Sequence, residues 1–239
     1  MDSPGYAALG RQAGLLREMK VVANNIANMS TAGFRREGVV FAEVVRALPV
    51  EGGSMSMATA LARTTRFDQG ALSRTGGTFD LAIEGEGFFQ VRTPAGLRLT
   101  RAGAFHVDAA GRLATAAGDP VLDAGGAPVA IPPGARRIEF GADGAISADG
   151  VAVGAIGLAR PADPGALIRE DGVLFRADGP VEPAEGAVLQ GFVEDGNVEP
   201  VEEMTRMIEI QRAYEMGQKI LDREDERIRD VIRTLGRTA

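Results

Sequence analysis

Met207, Tyr214, Leu221, Ile228 and Leu235 recur every seven residues in the C-terminal stretch, with Ile210 and Val231 in a companion row. A seven-residue apolar repeat suits a long helix, because side chains on a strand alternate with a period of two. Acids precede bases by four residues in Glu202–Arg206, Glu215–Lys219 and Asp225–Arg229, the order that favours an isolated helix. Pro200 suits a first helical turn. Gly217, Glu224 and Asp225 interrupt the seam. A single helix exposing such a stripe is sticky and needs a partner. That partner is either another helix of the same chain or neighbouring copies.

The N-terminal stretch offers one. Residues 6–29 read as a helix in which Leu9, Leu16 and Ala23 stand seven apart, with Met19 and Ile26 in a second row. Arg11, Arg17, Glu18 and Lys20 supply its polar face. Gly33 is placed as a helix stop or a tight turn. The expectation is a hairpin of two helices, coiled-coil-like in its packing.

Glycine dominates the intervening sequence: the chain has 32 among 239 residues, nearly twice the usual ~7%. Glycine serves where the backbone needs a positive φ, so tight turns and short strands are expected. Phe88–Val91 and Leu97–Thr100 flank one set of turn residues, and Phe105–Val107 and Arg112–Ala114 flank another. Asp/Gly punctuation recurs at 118–120, 125–126, 141–144 and 149–150. Aromatics are 5% of the chain, so a core of Ala, Val, Leu and Ile is expected. The expected fold is α+β: an N-terminal helix (1–35), a connector (36–79, irregular over 46–75), an antiparallel β-rich domain (80–190) and a C-terminal helix (191–239).

Catalytic signatures are sparse. There is no cysteine and one histidine, His106, so disulfides, thiolate metal sites and thiol nucleophiles are excluded. His106 reads as a strand or surface residue, since no Gly-x-Ser-x-Gly elbow is present. Gly85-Glu86-Gly87 lacks the third glycine and following helix of a dinucleotide loop. Asp143 and Asp149 stand in Asp-Gly turns without calcium-loop spacing. Glu202-Glu203 and the acids of 222–226 read as charged helix faces. The net charge of −7 disfavours nucleic-acid binding. No apolar run is long enough for a membrane span, and no Sec-type signal is visible. No enzyme activity, metal or cofactor is expected.

Two polar groups compete with this plain reading. Asn24, Asn25 and Asn28 crowd the end of the first helix, where Asn is unfavourable by roughly 0.5–0.7 kcal/mol against Ala. They mark either fraying or amides that bond across a helix contact and fix its register. Gln211, Arg212 and Tyr214 lie on or beside the C-terminal seam, either as a solvated face with one snorkelling Tyr or as interface groups.

At these residues the chain resembles the flagellar rod and hook proteins. Ala23-Asn24-Asn25-Ile26-Ala27-Asn28 with Ser30-Thr31-Ala32-Gly33-Phe34-Arg35 is similar to that family's N-terminal signature. Gln190-Gly191-Phe192, Asn197 to Met204 and Met207 to Tyr214 are similar to its closing signature. Gln69 to Leu72, Asp80 to Ile83, Gly85 to Phe89 and Thr100 to Phe105 look like its first β domain.

The resemblance implies terminal helices packed in an inner tube, a β domain outside, and export by the flagellar type III apparatus without a cleaved signal. It also implies a periplasmic rod built from copies of this chain and other rod and hook proteins. The interface residues it points to are Leu9, Leu16, Met19, Asn24, Asn25, Ile26, Asn28, Gly33, Phe34, Met204, Met207, Ile208, Gln211, Arg212, Tyr214, Leu221 and Ile228. A β-rich binding module on a helical stalk, or a hydrolase using His106, are the alternatives.

Overall fold

The computed structural model describes residues 3–47 and 54–235. The expected connector's residues 48–53 therefore lie outside the described residues, as does the side chain of Leu235. Helix α1 spans Ser3–Ala27 and helix α2 spans Pro200–Leu235. Between them run β1 (Glu37–Ala47), β2 (Ser54–Thr65), β3 (Leu72–Arg74), β4 (Leu81–Glu84), β5 (Phe88–Thr93) and β6 (Gly96–Thr100). Next come β7 (Phe105–Val107), β8 (Leu113–Thr115), β9 (Ile138–Phe140), β10 (Ala145–Ala148), β11 (Val151–Ala155) and β12 (Leu158–Pro161). The last strands are β13 (Leu167–Asp171), β14 (Leu174–Ala177), β15 (Val181–Pro183), β16 (Ala187–Gln190) and β17 (Phe192–Glu194).

The chain divides into two compact units. One holds 1–28, 36–66 and 198–239; the other holds 29–35 and 67–197. These boundaries differ from the expected ones in a telling way. Residues 29–35 leave the first helix and belong to the β unit, because backbone bonds hold them there: the Gly33 amide donates to the Glu194 carbonyl at 2.7 Å and Asn197 N to the Phe34 carbonyl at 3.2 Å. The expected connector contains a long antiparallel hairpin, β1 paired with β2 from Glu37↔Thr65 to Ala47↔Ser54, with a bulge at Val40/Phe41. A two-stranded ribbon is marginal in water unless something covers it, and here it packs on α1. The Phe41 ring lies where a Cβ on Gly14 would meet it at 3.0 Å, so the absence of a side chain at Gly14 gives the ribbon its seat.

In the helical unit α1 and α2 run antiparallel. Gln12 meets Tyr214, Glu18 meets Arg206 and Asn25 meets Glu203. Val21, Val22, Ile210 and Val198 are buried in this unit.

In the β unit every strand pair is antiparallel. The largest sheet has the order β13-β14-β6-β5-β12-β15, beside a three-stranded sheet β11-β10-β9 and the pairs β16–β4, β17–β3 and β7–β8. The main core joins Leu81, Ile83, Val91, Leu113, Val121 and Ile146 to Phe89 and Phe105. A second cluster, Phe88, Leu99, Ala159 and Phe175, is joined by Phe67. The expected all-aliphatic core is thus corrected. The few phenylalanines are concentrated inside, edge-to-face, with Phe89 and Phe105 at 5.1 Å and Phe67 and Phe175 at 5.5 Å, the geometry that ring quadrupoles favour.

Candidate functional site

Asn25 is the centre of the helical unit. It is 1% exposed. Its Nδ2 donates to the Glu37 carbonyl at 2.8 Å and to Glu203 Oε2 at 3.1 Å, while the Glu37 amide donates to its Oδ1 at 3.0 Å. One side chain thereby mimics a strand partner for β1 and reaches α2 as well. Glu203 has no exposed surface and also accepts from Arg36 Nε at 2.5 Å. Glu37 faces Arg63 at 3.7 Å. The fraying reading fails for Asn25 and the register reading stands. Asn28 does sit at the helix end, donating to the Asn24 carbonyl at 2.9 Å, and Asn24 reaches Glu37 Oε2 at 3.4 Å.

Further along the pair, Gln12 Nε2 donates to the Tyr214 carbonyl at 2.9 Å. Arg206 Nε donates to Glu18 Oε1 at 2.7 Å, and this bond holds Arg206 above its already high pKa. Gln218 donates to the Tyr214 hydroxyl at 2.9 Å, so this tyrosine's polar tip is satisfied within its own helix.

The apolar rows divide unexpectedly. Met207, Tyr214, Leu221 and Ile228 are half-buried, as are Met19 and Ile26, whereas Leu9, Leu16 and Ala23 are exposed. The row expected to be a seam on α1 therefore faces away from its intrachain partners, because Gly14, Glu18, Val21, Val22 and Asn25 are the buried positions. On α2, Met204 and Ile208 are 50% and 49% exposed, with Val201 beside them at 77%. At 100° per residue these three lie on the side of the helix opposite Glu203 and Ile210. Gln211 and Arg212 are exposed, as a solvated face requires.

Gly33 and Phe34 do not join the helices. They lie in the β unit with a second buried charge cluster. Glu194, fully buried, accepts from Arg35 Nη2 at 2.6 Å, from the Gly70 amide at 2.8 Å and from Arg101 Nη1 at 3.2 Å. Burial pulls the Arg101 pKa down, opposed by Glu194 and reinforced by Arg35. Arg169 lies between the Phe34 and Phe175 rings, 4.6 and 4.8 Å from their centroids, and donates to the Arg35 carbonyl. Gly33 has φ +69°, and a Cβ there would lie 2.2 Å from the Ala102 amide nitrogen. It is a turn and a close approach, some distance beyond the end of α1, and not the stop of that helix.

Both charge clusters escape a pattern search. Glu203 reads as half of a charged pair, yet it stands seven residues before Ile210, four before Met207 and eleven before Tyr214. That seam position is the signal of its burial. Nothing in local sequence marks Glu194 or Arg35, because their partners are 159 residues apart.

Segmented helices at both termini around a β domain define a class. Residues 6–35 match the family described as flagella basal body rod protein, 82–148 the flagellar hook protein FlgE/F/G D1 domain, and 189–234 the flagellar basal body rod FlgEFG protein C-terminal family. The chain is 41% identical to the flagellar basal-body rod protein FlgF of Caulobacter vibrioides and 39% identical to that of Mesorhizobium japonicum, with 99% of both chains covered in each case. It is 31% identical to the rod protein FlgG of Bacillus subtilis, over 95% of this chain and 97% of that one. The chain belongs to the flagellar basal-body rod protein family, as a structural subunit of the rod. Among the described residues no helix is long and apolar enough to cross a membrane.

Proposed function

We propose that this chain is a proximal-rod subunit that assembles through its terminal helices into a helical tube transmitting torque. The observation that carries this reading is the uncovered apolar surface of the helical unit. Leu9 and Leu16 on α1, and Val201, Met204 and Ile208 on α2, face away from the intrachain contacts. The end of α2 adds to it. With Gln12 opposite Tyr214, α1 has nine residues left toward its start and α2 has twenty-one toward its end, so α2 overhangs by about 18 Å at 1.5 Å per residue. That overhang carries Val231 and Ile232, 47% and 64% exposed.

A patch at one end and face of a helix pair, meeting a different patch on the next copy, makes a heterologous contact. Repeated by a rotation that does not close, it builds a tube. In the tube α1 and α2 act as one coiled-coil-like hairpin whose second face is covered by neighbours. The partners are other copies and other rod and hook proteins, and the chain reaches the periplasm through the flagellar export apparatus without a cleaved signal. The FlgF likeness over the whole length supports the proximal position, and the role is structural with no catalytic step.

Ile208→Asp tests the reading. Ile208 is half exposed, so the monomer should keep its circular dichroism and melting temperature while rod assembly and motility are lost. Normal rods from this variant would refute the proposal. Hydrogen exchange on the free subunit should show weaker protection in 6–29 and 201–235 than in the β unit, and strong protection there would count against assembly-driven ordering.

A further inference from the structure

The β unit contains a cavity of about 350 Å³ lined by Phe67, Phe88, Leu167, Pro161, Arg101 and Arg160, with Glu86 and Glu182 at its margin. Its apolar wall is the same phenylalanine face that forms the second core cluster. Arg101 is 5% exposed, its guanidinium carbon 5.4 Å from the Phe88 centroid, and its Nε finds no acceptor among the described residues. Behind it Arg35 is also buried with Nε and Nη1 unpaired, and both guanidiniums share the one carboxylate of Glu194. The buried cluster is short of negative charge. At the margin Arg160 is held loosely, 3.6 Å from Glu86 and 3.5 Å from Glu182, with 51% of its side chain exposed.

A pocket with an apolar wall, one buried and one exposed arginine suits an extended apolar segment that ends in a carboxylate. This chain carries such a segment in Leu48-Pro49-Val50-Glu51-Gly52-Gly53. Proline presents no N–H to leave unpaired in an apolar site, and Glu51 is the one charge in the run. The segment joins β1 to β2, and eleven paired residues of β1 extend about 36 Å at ~3.3 Å per residue. That is longer than the ~14 Å radius of gyration of a domain of this size, so the hairpin reaches a neighbouring molecule.

We propose that the cavity is a docking site for the 48–53 segment of a second copy, with Leu48 and Val50 against Phe67, Phe88 and Leu167, and Glu51 on Arg160 and the positive field of Arg101. This rests on the self-assembly reading, since only an assembly holds the two copies together, but its test does not. A capped peptide spanning 47–54 is titrated into the full-length monomer, followed by amide chemical shifts. Saturable shifts confined to the cavity residues are expected. A Glu51→Gln peptide should bind about three- to tenfold more weakly.

Leu167→Trp, which fills the cavity, should abolish the shifts, and Arg160→Ala, on the surface, should weaken them while leaving the fold unchanged. No saturable shift at millimolar peptide would overturn the proposal, as would shifts centred elsewhere. Equal binding of the Gln peptide or of a scrambled one would do the same. In each of those cases rod assembly that is still sensitive to Ile208→Asp would leave the rod-subunit reading intact.

Discussion

Replacing Asn25 by leucine tests the lock between α1, β1 and α2 most directly. The substitution removes three hydrogen bonds, two to the Glu37 backbone and one to Glu203. It strands the buried Glu37 N–H and C=O, at about 1–3 kcal/mol for each group left unpaired. Glu203 keeps its Arg36 bond, so the loss on that side is smaller. Leucine returns about 1 kcal/mol through burial of its extra apolar area.

The net expectation is a destabilisation of about 2–4 kcal/mol, a large share of the ~5–15 kcal/mol that holds a domain together. The loss should be confined to the helical unit. Far-UV circular dichroism in a urea titration reports the helices, and hydrogen exchange at β4–β6 reports the β unit. An Asn25→Leu chain whose helices unfold at the wild-type midpoint would show that the amide contributes nothing to register. Asn25→Asp should be worse than leucine, because it sets a carboxylate against buried Glu203. A double-mutant cycle with Glu203→Gln isolates the pair.

Glu194→Gln should destabilise the β unit by about 3–5 kcal/mol, since it leaves two buried guanidiniums without a counter-charge; a denaturation midpoint within error of wild type would contradict this. Gly33→Ala combines a positive φ with a 2.2 Å clash against backbone and should yield a chain that fails to protect the Gly33 and Ala102 amides from exchange. Asp108 is held below the usual carboxylate range by the Arg112 amide, then by the Arg112 side chain. A depressed folded value means its contribution is present above the unfolded pKa of ~3.9 and is lost as pH falls through the folded value. The stability gap between wild type and Asp108→Asn should therefore be constant above about pH 5 and close below about pH 4, and a gap that widens in acid would contradict the assignment.

The two helices and the turn-rich middle were legible because their signals are local. Heptad spacing, i,i+4 pairs and a glycine at each sharp reversal are written within a few residues of where they act. Asn25 was legible as an anomaly, a costly residue in a helix, though not its partner on β1. The β1–β2 hairpin was not legible: its strands carry no tight turn signal of the common two-residue kind and no strict alternation. Its stability comes from α1, through the space left at Gly14.

Local spacing alone determined that both ends of this chain are amphipathic helices and that the centre is a set of short antiparallel strands. The tertiary fold decided which apolar row each helix buries, because α1 must serve both α2 and the β1–β2 ribbon, and the face that meets two partners is not the face with the regular repeat. It also decided the fate of Arg35, Glu194 and Glu203. A charge can be buried only where a distant partner arrives to compensate it, and that meeting is a property of topology rather than of neighbouring residues.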